Sequence, residues 1–169
     1  MFEVTTGMHV GTHLDAPLHM IPGGRSLPEI PPEKFFGRGV LIDAREKSQI
    51  TVDLLTGTEL QPGDAVLLHT GFSRHFREAR YYQDFPTIAE DFAAALVAAR
   101  IHLLGLDTPS PDRAPYPIHR QLLSAEIVIA ENLTRLDRLL GIANFEVIAL
   151  PVKFKAEAAP ARVVARVKD

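Results

Sequence analysis

Between His9 and His19 the sequence reads HVGTHLDAPLH, and this stretch limits the possible folds more than any other. It places three of the seven histidines and the carboxylate of Asp15 within eleven residues, and Pro17 forbids a simple helix through it. In an extended segment side chains alternate between faces, so His9, Gly11, His13 and Asp15 are expected to share one face. Gly11, between the two histidines, leaves room there for an ion or a second backbone. Pro17 biases Ala16 towards an extended conformation and lets the chain turn, so that His19 returns towards the same spot. Converging side chains of these types read as a mononuclear or dinuclear metal centre. The plain alternative is a few surface histidines beside a turn, because this spacing is less stringent than a closed four-cysteine set. A second group of ligand-type residues downstream is what separates the two readings.

Asp107, His119 and Glu131 offer such a group. Glu131 follows the apolar run IVIA, which draws its carboxylate towards the core, where it needs a partner. A metal ion is one partner and Arg135, one turn further on, is another. Asp107 reads as a loop residue whose side chain bonds backbone N–H groups at Thr108 or Ser110, and it is given no ligand role. His69, His75 and His102 have no carboxylate at ligand spacing and are read as structural or exposed.

With 169 residues, 46% of them hydrophobic and 23% charged, the chain suits one domain spanning residues 1–169 with a real core. The net charge is −3 with acids and bases interleaved, which excludes an electrostatic footprint for nucleic acid or an anionic membrane and leaves small molecules as the expected partners. There is no cysteine, so any metal must be held by histidine and carboxylate. No apolar run reaches the roughly 18 residues of a membrane span, and no basic-then-apolar leader is visible, so a cytoplasmic location is expected.

Apolar runs predict strands at GVLIDAR (39–45), AVLLHTG (65–71, behind the turn Pro62-Gly63-Asp64), IHLLGL, IVIAENL (127–133), FEVIALPVKF and ARVVARV. A helix is expected over about 88–100, with Thr87 and Glu90 at capping-box spacing, another beginning near His119, and one helical turn capped by Thr51. The proline-rich stretch 20–38 reads as an ordered loop anchored by Leu27, Ile30 and Phe35-Phe36.

HVGTHLDAPLH, followed in order by GVLIDAR, PGDAVLLHTGF, GLDTPS, IHRQLL, AENL and ALPVKF, resembles the metal-dependent cyclase family that includes bacterial kynurenine formamidase and isatin hydrolase. The resemblance implies an α/β fold: a single compact domain of the swivelling β/β/α type, with a mixed, partly barrel-like sheet and outer helices. It implies that His9, His13 and Asp15 bind metal, that His119 and Glu131 complete a dinuclear centre, and that His19 acts as acid and base. The divalent ion is expected to be zinc, with manganese as the second choice. The expected substrate is a formamide, aryl amide or lactam, and the expected assembly a homodimer or homotetramer. Family members carry an opening segment with a pocket aromatic before the signature, whereas Met1 stands only eight residues before His9; Phe2, Phe72 or Tyr116 are the candidates to replace that aromatic. A catalytically impaired metal-binding or scaffold relative is the competing expectation.

Overall fold

Four of the apolar runs lie side by side and parallel. In a computed structural model describing residues 1–168, they are Phe36–Asp43 (β2), Ala65–His69 (β4), Leu103–Leu106 (β6) and Val128–Glu131 (β7), hydrogen-bonded in the order β2-β4-β6-β7. Strands buried on both faces read as continuous apolar runs rather than alternations. Here Leu67, Leu103 and Val128 point to one core with Leu14, Phe145 and Val147. Their neighbours Val66, Leu68, Leu104 and Ile129 point to a second, covered by Phe92 and Leu96 of helix α1 (Glu90–Ala99) and Leu122 of helix α2 (Pro117–Ser124).

Three antiparallel strands close the sheet into a barrel. Phe145–Pro151 (β8) pairs with β2 and forms a hairpin with Ala158–Val167 (β9), and His13–Asp15 (β1) bridges β9 and β7. Closure thus rests on three residues that belong to the histidine-rich stretch. Outside the barrel, Gln49–Ile50 (β3) and Thr87–Ile88 (β5) form a two-stranded parallel ribbon. The expected class, a single α/β unit with a mixed barrel-like sheet and outer helices, matches this architecture. Among the described residues no helix is long and apolar enough to cross a membrane.

Element edges depart from the sequence reading in instructive ways. Thr87 does not cap α1; it belongs to β5, and Ala89 holds the N-cap position in extended conformation. The 3-10 turn Val52–Leu55 does follow Thr51, but the threonine makes no capping hydrogen bond and contacts Asp53 instead. β9 starts at Ala158, β8 stops at Pro151, and β7 stops at Glu131 because Asn132 adopts a left-handed conformation. The loop over 20–38 is ordered through short 3-10 turns and buries Leu27, Ile30 and Phe35, while Phe36 opens β2 with its side chain partly exposed.

One glycine of β2 is required by packing. A Cβ on Gly39 would stand 2.0 Å from Cε2 of the buried Phe145 ring, so the aromatic fills the space that a side chain would take. Gly39→Ala should therefore cost about 1–3 kcal/mol through overpacking. Urea unfolding checks this: a lower midpoint with an unchanged slope is expected, and an unchanged midpoint would refute it.

Candidate metal centre

The antiparallel register of β1 and β7 sets His13 opposite Glu131 and Asp15 opposite Ile129, joining residues from opposite ends of the chain. His13 Nδ1 lies 2.8 Å from the Gly11 carbonyl. Its Nε2 then faces Asp15 Oδ1 at 3.4 Å and Glu131 Oε2 at 3.3 Å. His119 enters from α2, with Nε2 at 3.3 Å from Glu131 Oε1 and 3.8 Å from Asp15 Oδ2. His9 Nδ1 is 3.0 Å from Asp15 Oδ1, and its ring lies 4.4 Å from that of His19, which is 5.7 Å from the His119 ring. All six candidate residues of the sequence reading meet in one place. Five of them form two overlapping groups, His13–Asp15–Glu131 and His9–Asp15–His19, each with ligand atoms within 4.8 Å of one another and with Asp15 in both, while His119 stands beside both carboxylates.

The interior of this cluster is short of partners. His13 Nε2, both Asp15 oxygens and Glu131 Oε1 are buried without an aligned hydrogen bond. Leaving such groups unpaired costs on the order of 1–3 kcal/mol each, and more when they are charged. Nitrogen and carboxylate oxygen atoms gathered in this way suit a divalent cation, which His13, Asp15 and Glu131 would hold.

Burial works against charge throughout the cluster, and the neighbours decide the outcome. For Asp15, the imidazoles of His119 and His9 overcome burial and hold its pKa well below the usual carboxylate range. Burial opposes protonation of His119, but its hydrogen bond to Asp112 and the nearby carboxylates of Asp15 and Glu131 push its pKa up to about 11. His13 is raised despite burial by Glu131 and Asp15, and His9 is raised chiefly by the Asp15 carboxylate beside it. His19 goes the other way: burial lowers its pKa and favours the neutral ring.

Several local expectations are corrected. His9 and His13 do not lie on one strand, because Gly11 takes a left-handed φ of 64° and residues 8–12 bend; His9 reaches Asp15 by folding back. Glu131 pairs with His13 and His119 rather than with Arg135 among the described residues. Asp107 does not bond Thr108 or Ser110. Its carboxylate accepts from Thr70 N, Thr70 Oγ1 and Gly71 N, pinning the loop after β4, and lies 3.4 Å from His69 Nδ1. His75 likewise has a carboxylate neighbour, Glu78, at 3.0 Å.

Sequence reasoning missed Asp112. It is buried, accepts from the amides of Ile118 and His119 at the start of α2, and pairs with Nδ1 on the edge of the His119 ring. The clue was a lone aspartate shortly before a helix that carries a ligand-type histidine. A cleft of 500 Å³ opens beside the cluster, lined by His9, His19, His119, Tyr82, Phe85 and Tyr116 among others. Of the proposed pocket aromatics only Tyr116 lines it; Phe2 is fully exposed and Phe72 stacks on the buried Tyr81.

A family profile described as a putative cyclase matches residues 2–113. The chain belongs to the cyclase family. Its relatives within the family include the kynurenine formamidase of Bacillus mycoides (strain KBAB4), 31% identical over 168 residues that cover 97% of this chain and 78% of the relative. A potential metal-dependent hydrolase with cyclase activity superposes with a TM-score of 0.83 at 34% identity, covering 99% of this chain and 83% of that one. Isatin hydrolase A from Labrenzia aggregata, bound to benzyl benzoate, superposes with a TM-score of 0.87 at 28% identity, covering 99% and 76%. This cyclase-family chain therefore has the fold of a metal-dependent hydrolase, and its clustered histidines and carboxylates lie within that fold.

Because the His119 pKa is raised, the stability it contributes to the metal-free protein is fully present below about 6.5 and is lost as pH rises towards 11. Asp112→Asn removes one acceptor and should lower that pKa. Imidazole NMR titration of the chelated protein should show His119 deprotonating at lower pH in the variant; equal titration would place the main cause elsewhere.

Proposed function

We propose that this protein is a metal-dependent hydrolase that opens the C–N bond of a small formamide or cyclic amide. The observation that carries the reading is Asp15, a buried carboxylate shared by two groups of ligand-type side chains, whose two oxygens, with His13 Nε2 and Glu131 Oε1, lack hydrogen-bond partners. Kynurenine formamidase and isatin hydrolase among the relatives suggest the formamide and cyclic-amide classes.

His9, His13, Asp15, His119 and Glu131 are the residues that would hold the cation, with Asp15 able to serve two ions. Zinc is the first candidate and manganese the second, since imidazole and carboxylate donors accept both. When bound, such an ion supplies a Lewis acid for the carbonyl and lowers the pKa of water towards about 7. Asp112 holds His119 in place through Nδ1, leaving Nε2 for the cluster. His19 lines the cleft, and its lowered pKa leaves the ring free to accept a proton. It takes that proton as the water oxygen bonds to the carbonyl carbon, and returns it to the nitrogen as the C–N bond breaks. Tyr82, Phe85 and Tyr116 offer apolar walls for a ring on the substrate. The intact cluster favours this reading over an impaired scaffold.

A homodimer or homotetramer in the cytoplasm fits the same picture. Leu150, Val164 and Val167 of the β8–β9 hairpin and Phe154 in its turn are partly exposed, and apolar surface of this kind is commonly covered by another chain.

Hydrolysis should be tested with the zinc- and manganese-loaded protein on N-formylkynurenine, isatin and a panel of aryl formamides and lactams. Turnover lost on chelation and restored by one of the ions is expected; bound metal with no turnover on the whole panel would favour the scaffold reading. Asp15→Asn should release metal and abolish activity together. His19→Ala should keep most of the metal while the rate falls roughly 100-fold, the scale of losing a general acid and base. Equal metal loss in both variants would make His19 a ligand. Loading must also expel protons from the raised imidazoles, so cation affinity should rise from pH 6 to pH 8, with proton release detectable by calorimetry in buffers of different ionisation enthalpy. Affinity independent of pH would contradict it.

A further inference from the structure

Asn132 directly follows Glu131 and stands in the left-handed region at φ 56°. Asparagine tolerates that region better than most residues, yet a strained position persists only where its surroundings hold it. Three segments do so here. The side-chain Oδ1 of Asn132 accepts from the Tyr81 hydroxyl at 2.8 Å, its carbonyl accepts from Thr12 Oγ1 at 2.7 Å, and its N–H donates to the Thr108 carbonyl at 3.0 Å.

The placement of these bonds is specific. Thr12 immediately precedes His13, Asn132 immediately follows Glu131, and His13 and Glu131 are cross-strand partners. The Thr12–Asn132 bond therefore ties β1 to β7 next to the pair of ligand-type residues that face each other. Tyr81 is fully buried, with its ring packed between Phe72 and Phe76, so its hydroxyl is a fixed donor rather than a swinging one. It belongs to the 3-10 turn Ala79–Tyr82, whose last residue lines the substrate cleft.

We infer that Asn132 is a positioning residue, locked by Tyr81 and Thr12 so that the Glu131 carboxylate is held against His13 and His119 in readiness for the cation. The inference rests on the metal-dependent reading above and extends it to residues that touch neither metal nor substrate. Outer partners that orient ligands commonly control cation affinity, with losses of roughly 10–100-fold on mutation. The Tyr81–Asn132 bond also links the cleft wall to the ligand strand, so one contact serves both.

The test uses the full chain, with zinc ion alone as the probe. Zinc affinity is measured by competition with a chromophoric chelator, beside the melting temperature of the metal-free protein. Tyr81→Phe and Asn132→Gly should each weaken zinc binding roughly 10-fold, and the double variant should lose little more, because both remove the same bond. Asn132→Asp keeps an acceptor for the tyrosine and tolerates the left-handed conformation, so it should bind zinc nearly as the parent does. Lower melting temperatures with unchanged zinc affinity would make Asn132 a structural residue only and overturn the inference. Fully additive losses would overturn the shared bond. Should Tyr81→Phe not fold, the comparison of Asn132→Gly with Asn132→Asp decides: equal affinities refute the inference, and loss in glycine alone supports it. A parent protein that takes up no zinc would overturn this inference, while zinc bound by the parent but not affected by these variants would leave the metal reading standing and refute the inference alone.

Discussion

Asp15 is fully buried, and its two oxygens lie among imidazoles brought by three different parts of the chain: the bend at His9, the strand residue His13 and helix α2 with His119. An ionised carboxylate in such a place is tolerated only when positive charge or hydrogen-bond donors surround it. Without a cation the protonated imidazoles supply that charge, which is why the Asp15 pKa is held down while those of His9, His13 and His119 are held up. A bound cation would take over the same role. The three-residue strand that carries Asp15 also closes the barrel, so the element that needs compensation electrostatically is the one that joins β7 to β9.

The fold converts this need into geometry. Parallel strands β4, β6 and β7 run in one direction, so His69, Asp107 and Glu131 emerge at or just beyond the same end of the sheet, where open α/β sheets place their ligand sites. Division of labour follows from what each residue meets there. Glu131 meets β1 and its histidine, whereas Asp107 meets the amides of Thr70 and Gly71 and shapes the loop leading towards Tyr81 and Tyr82. Around the cluster lies a layer of supporting bonds, Asp112 to His119 and Tyr81 to Asn132, that fix ligand-type side chains without entering the cluster.

Much of this was legible in the sequence. The apolar runs at 65–69, 103–106 and 128–131 announce buried strands because both of their faces are covered, and the density of histidine and aspartate over 9–19 announces the site. What escaped was set by tertiary pairing. The left-handed Gly11 breaks the alternation that would have aligned His9 with His13, and nothing local in HVGTH demands that turn. Thr87 has the spacing of a capping residue but joins β5, since β3 offers it a partner far away in sequence. Asp112 sits in a proline-rich loop whose path alone brings it beneath α2, and Asn132 looks like an ordinary strand-end polar residue until Tyr81 and Thr12 are seen to meet it.

The proposed role of Asp15 and its neighbours is to hold a divalent cation. Crystals of the zinc-loaded protein, with diffraction measured on both sides of the zinc absorption edge, test it most directly. An anomalous peak is expected at about 2.0–2.2 Å from an Asp15 oxygen and from at least one of His9, His13, His119 and Glu131. Ordered water filling the cluster at saturating zinc, with no anomalous peak among these side chains, would contradict it.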